Sequence, residues 1–134
     1  MISTAAVAPV SKTTSRIGIL LSVLAILFLA FDAVIKVLQL APAVESTTSL
    51  GYAVSMILPF GLAELACLAL YAYPRTAVLG AILLTGWFGG AMATHVINGS
   101  PVFSVVFPLL IGAFVWGGLF LREPRMRTLL PFRR

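Results

Sequence analysis

The chain has 134 residues, of which 60% are apolar and 10% charged, and its mean hydropathy is +1.09. A soluble domain carries about 25% charged residues, so this chain has too little polar surface for water and its solvent must be lipid. The net charge of +5 does not point to nucleic acid, because the basic residues sit at the ends of apolar runs, where a membrane protein needs them.

In chain order, residues 1–15 are rich in Ser, Thr and Ala and read as a disordered lead. Four apolar stretches follow, over residues 17–38, 50–71, 76–97 and 102–121. Each has the roughly 20 residues that a helix needs to cross about 30 Å of hydrocarbon. Ala41-Pro42 ends the first, Tyr73-Pro74 separates the second from the third, and Asn98-Gly99-Ser100-Pro101 is a strong turn before the fourth. The short links predict antiparallel neighbours. The expected fold is an all-α integral-membrane four-helix bundle over residues 16–121, with a basic tail over 122–134.

Eight basic residues fall on one side of this arrangement: Lys12, Arg16, Arg75, Arg122, Arg125, Arg127, Arg133 and Arg134. That asymmetry predicts a multi-pass protein of the cell membrane with both termini in the cytoplasm. A cleaved signal is the weaker reading of the N-terminus. The apolar run is about 22 residues, longer than an h-region, and it contains Asp32 and Lys36. The arginines of the tail, mixed with Leu129, Leu130 and Phe132, suit a segment lying on an anionic leaflet better than a dock for a soluble partner.

Ionisable groups in hydrocarbon are expensive, so each needs an account. Counting at 1.5 Å per residue from the terminal side places Asp32, His95 and Lys36 at about 24, 28 and 30 Å, and Glu64 at about 13 Å, near the level of Thr85. Asp32 and Lys36 are four residues apart in the favourable order for an ion pair. Lys36 is expected to snorkel to the outer interface, or the pair could floor a pocket with His95 as third member. Glu64 has no cation at its counted depth, so it is expected to keep its proton and donate to Thr85, Ser22 or a backbone carbonyl. Its competing use is a proton relay or a polar handle on a bound head group. His95, the single histidine, has no companion at zinc-ligand spacing, and could reach interfacial water or donate to a quinone carbonyl. Cys67 is also alone, which excludes an intrachain disulfide. Tyr52, Tyr71 and Tyr73 fit aromatic belts, and Trp87, deeper, suits core packing more than the wall of a pocket.

Ala77, Ala81, Thr85, Gly89 and Ala93 recur at i+4, with Gly86, Gly90 and Thr94 as a second ladder beside them. Such small-residue stripes let a helix approach closely, so Gly86, Gly89 and Gly90 are the expected helix-packing residues. His95 falls outside both ladders.

The run YPRTAVLGAILLTGWFGGAMATHV, preceded by the Glu64 segment and followed by WGGLFLREPRMR, resembles the DoxX-like family of small four-helix membrane proteins. The likeness covers roughly residues 16–131. It implies an integral membrane protein whose relatives include a subunit linked to thiosulfate:quinone oxidoreduction, parts of membrane oxidoreductase complexes, and distant assembly chaperones. It supplies no catalytic residue set. Asp32, Lys36, Glu64, Thr85 and His95 are binding candidates from depth and chemistry alone, with Arg75 beside them.

The first expectation is thus an accessory subunit that binds a quinone or lipid, with no covalently attached cofactor. A membrane-protein assembly chaperone is the alternative, and an oligomeric proton-coupled small-solute transporter the weakest. The expected partners are the bilayer and another membrane protein or a second copy, not nucleic acid. The sequence contains no phosphate loop, nucleophile–base pair, metal cluster or dinucleotide fingerprint, so catalysis by this chain alone is not expected.

Overall fold

A computed structural model describes residues 11–126 of the chain. The first helix, α1 (Lys12–Val37), opens on Ser11, whose side chain accepts a hydrogen bond from the Thr14 amide. Residues 12–15, expected in the lead, are therefore helical, while the expectations for residues 1–10 and 127–134 lie outside the described residues. The helix closes on a Schellman motif. Gln39 adopts φ +53°, its amide donates to the Lys36 carbonyl, and the Leu40 amide donates to the Ile35 carbonyl.

The link after α1 is longer and more ordered than its sequence suggests. Residues Ala41–Ser49 form a short helix, α2, with Pro42 in its first turn, where a missing N–H costs nothing. Thr48 and Ser49 bond back to the carbonyls of Val44 and Ser46, and Gly51 at φ +95° stops the segment. The second span accordingly starts later than residue 50, as a 3-10 turn (Val54–Met56) running into α3 (Ile57–Ala72). A second 3-10 turn (Pro74–Thr76) leads directly into α4 (Ala77–Ile97). That helix ends on another Schellman motif, with Gly99 at φ +63° and the Ser100 amide on the His95 carbonyl. The last helix, α5 (Val102–Arg122), contains Pro108.

Among the described residues, four helical segments are long and apolar enough to cross a membrane: Lys12–Val37, Val54–Ala72, Pro74–Ile97 and Val102–Arg122. They pack as a ring in which the backbones of α1 and α4 each lie against those of α3 and α5, while the diagonal pairs meet only through long side chains. Their outer faces carry large apolar side chains such as Leu27, Phe31 and Leu79, as a lipid-facing surface requires.

The main apolar core cluster lies in the half of the bundle nearer the termini. Ala25 and Leu29, Leu68 and Tyr71, Ala81 and Leu84, and Val115 and Leu119 form it. Close helix approach is made by glycines other than those predicted. A Cβ on Gly80 would lie 2.2 Å from the Tyr71 amide nitrogen, and one on Gly118 would lie 2.8 Å from that of Ser22. Gly18 faces the α5 backbone, and Gly61 faces Lys36 and Val37, at comparable range. By contrast, a Cβ on Gly86, Gly89 or Gly90 would meet nothing within 4 Å. These three glycines thus pack no neighbouring helix among the described residues, whereas Ala77 and Ala81, at the start of the same ladder, are buried in the core.

Tyr71 corrects a second expectation. It is fully buried rather than part of an aromatic belt. Its hydroxyl donates to the Val115 carbonyl at 2.7 Å and lies 3.0 Å from Ser22 Oγ, which in turn accepts from Arg122 Nε at 3.1 Å. One phenol therefore ties α3 to α1 and α5, satisfying polar groups that lipid would leave without partners.

Candidate functional site

Beyond the level of Leu29, Glu64, Phe88 and Ile111, the bundle opens into a pocket of about 700 Å³ on the α2 side. Two sequence features make the room. Gly86, Gly90 and Ala91 line it from α4, where absent or minimal side chains leave space between helices. Pro108 lines it from α5, and its missing N–H leaves the Ser104 carbonyl without the usual helical partner at the same wall. Aromatic rings supply much of the rest. Tyr52 stands edge-on to Phe60 with centroids 4.8 Å apart, Phe60 to Trp87 at 5.8 Å, and Phe28 to Phe107 at 5.1 Å.

Into this wall the fold brings four of the five predicted binding residues: Asp32, Lys36, Glu64 and His95. Lys36 is the hub. Its ammonium pairs with Asp32 one turn back along α1 and crosses to Glu64 Oε2 on α3 at 2.8 Å. It also sits 5.3 Å from the centroid of the Trp87 ring, within cation–π range. The lysine is only 15% exposed and Glu64 is fully buried. Two sequence expectations are corrected here. Lys36 does not snorkel outward, and Glu64 has a cation after all.

The reason lies in how the two helices cross. Depth counting treats each residue as a point on a straight axis, but Gly61 lets α3 press against α1 at Lys36 and Val37. The lysine's four-carbon stem then reaches about one helical turn along α3, from Gly61 down to Glu64. The acid does not bond Thr85 or Ser22, since both are engaged elsewhere. Thr85 donates to the Ala81 carbonyl and accepts from Trp116 Nε1 at 2.7 Å, on an exposed face of α4 away from the pocket. Ser22 belongs to the Tyr71 network.

Glu64 Oε1 is buried and has no hydrogen-bond partner among the described residues. Leaving such an acceptor unmatched costs roughly 1–3 kcal/mol, more when the group is charged. His95 stands at the rim, with Nδ1 3.0 Å from Ser100 Oγ, so the turn after α4 orients the ring. Nearby, the Tyr52 hydroxyl lies 2.8 Å from Thr94 Oγ1 and Asn98 Nδ2 donates to the Leu50 carbonyl, tying the lip of the pocket to the end of α4. Among the described residues, no group of three His, Cys, Asp or Glu side chains is placed to hold a metal ion.

Sequence reasoning undervalued Trp87, which both touches the core and faces the pocket. It missed Phe60 and Phe107, whose aromatic character is unremarkable in an apolar helix. Gly86 and Gly90, expected to pack a helix, line the cavity and meet no helix among the described residues, because a small-residue stripe reads the same whether a helix or a void lies against it.

The pattern of the DoxX-like family matches residues 20–118, which include all four spans in whole or in large part and every group on the pocket wall. No curated protein and no solved structure matches the chain. Four long apolar helices and the family match make it a multi-pass membrane protein, and the chain belongs to the DoxX-like family.

Proposed function

We propose that this protein is a non-catalytic accessory subunit of a cell-membrane complex, oriented with both termini in the cytoplasm, whose pocket holds a quinone or the polar end of a lipid. One observation carries the reading. A cluster of half-buried Asp32 and Lys36 with fully buried Glu64, one of whose carboxyl oxygens has no partner among the described residues, faces an aromatic cavity large enough for a drug-sized molecule. Such a wall offers hydrogen-bonding groups to a ring bearing oxygens, while Phe60, Trp87 and Phe107 cover its faces. His95 at the rim supplies a further donor or acceptor.

The test is solvent extraction of purified protein for quinone, together with a thermal shift on adding a short-chain quinone or a lipid. Co-purified ligand and a saturable shift, both lost in Gly90→Leu and kept in Gly89→Leu, are the expected results. Gly90 lines the cavity and Gly89 does not, and among the described residues neither substitution meets an atom at its Cβ. Absence of ligand and of any shift would sink the reading.

A second reading, as a membrane-protein assembly chaperone, is favoured by the open face of α4 around Gly89. Another membrane protein, or a second copy, would dock there by close backbone approach. In that case Gly89→Leu abolishes co-purification of the partner while pocket ligands are unaffected.

A further inference from the structure

The opposite end of the bundle holds a second hollow, of about 650 Å³, that the pocket above does not use. Arg75 enters it from the turn between α3 and α4, while Arg122 and Arg125 enter it from the end of α5 and the segment after it. The carboxylate in the lining, Glu123, accepts a hydrogen bond from the Arg125 amide. Three arginines from two chain segments thus line one hollow with a single acid. Arg75 has no hydrogen bond or ion pair among the described residues. Arg122 is fixed by its Nε bond to Ser22 and by the Tyr71 ring 5.5 Å beneath its guanidinium. That leaves a rigid, oriented fork, the geometry that suits bidentate recognition of phosphate oxygens.

Apart from these four charged residues and Ser15, the walls of the hollow are apolar. Leu119 and Met126 are buried, and Ile19 and Val78 are exposed on the lipid-facing sides of α1 and α4. Basic residues that serve only orientation need not converge, since any position near the span ends has that effect. Lys12 and Arg16 behave in that way: they lie at the same end and outside the hollow. We infer that the hollow lined by Arg75, Arg122 and Arg125 is a binding site for the phosphate group of an anionic phospholipid, whose acyl chains lie along Ile19 and Val78. The exposed apolar residues beside the arginines are what favour a lipid phosphate over a free one. Basic hollows between spanning helices suit such head groups.

The experiment uses the full chain in a neutral detergent, read by native mass spectrometry and thermal unfolding. Phosphatidylglycerol is compared with phosphatidylcholine of the same chains and with inorganic phosphate. Phosphatidylglycerol is expected to remain bound and to raise the unfolding temperature, while phosphatidylcholine and inorganic phosphate do neither. Arg75→Gln/Arg125→Gln should weaken retention roughly thirtyfold, in keeping with about 1 kcal/mol per basic residue near an anionic lipid. Lys12→Gln/Arg16→Gln, which removes the same charge from the same end, should leave retention unchanged. Equal losses in the two double variants, equal retention of phosphatidylcholine, or equal stabilisation by inorganic phosphate would each overturn the inference. None of these results depends on the first pocket, and the wild-type lipid comparison stands even if a variant fails to fold.

Discussion

Replacing Gly80 with alanine sets the observed helix packing against the packing that the glycine pattern suggests. The added Cβ would lie 2.2 Å from the Tyr71 nitrogen and 2.5 Å from its Cα, roughly 0.8 Å inside the closest approach real Cβ atoms make. Both obstacles are backbone, so no side chain can rotate away. Relief requires α4 to move off the end of α3, which loosens Ala77, Ala81 and Leu84, all essentially buried, and disturbs the Tyr71 hydroxyl network. Overpacking of this kind costs about 1–3 kcal/mol, and an immovable neighbour puts Gly80→Ala at the upper end. Gly89→Ala adds the same methyl group where nothing lies within 4 Å. It should be neutral, or stabilising by up to about 1 kcal/mol through helix propensity. The assay is reversible unfolding in mixed micelles of mild detergent and dodecyl sulfate, followed by tryptophan fluorescence and circular dichroism. Equal stabilities for the two variants, or a larger loss in Gly89→Ala, would refute the assignment of close packing to Gly80.

Lys36→Met leaves Asp32 and Glu64 without the cation that joins them, and should destabilise the fold by about 3–5 kcal/mol in the same assay. Adding Glu64→Gln should recover part of that loss, and additive effects of the two changes would show that the pair is not coupled. Tyr71→Phe removes a hydroxyl that serves both Ser22 and the Val115 carbonyl, at an expected cost of about 1–3 kcal/mol. Tyr73→Phe alters an exposed tyrosine and should cost less than about 0.5 kcal/mol, so similar losses at the two positions would count against the buried network.

The spans could be read from the chain because lipid imposes a rule that operates residue by residue. About twenty apolar residues bounded by Pro, Gly and Asn can satisfy their backbone only as a helix, whatever surrounds them. For the same reason the all-helical fold, the turn at Gly99 and the family likeness were legible, and Asp32, Lys36, Glu64 and His95 stood out as costly groups. What each group faces is a property of helix rotation and crossing, to which a one-dimensional count is blind. Only the packed bundle brings Lys36 down onto Glu64, through the contact at Gly61, and buries Tyr71 instead of leaving it at an interface. The glycines show the limit most clearly. Gly80 and Gly90 look alike in sequence, yet one touches the backbone of its neighbour and the other lines a cavity. A missing side chain permits either outcome, and the neighbouring helices decide which one occurs.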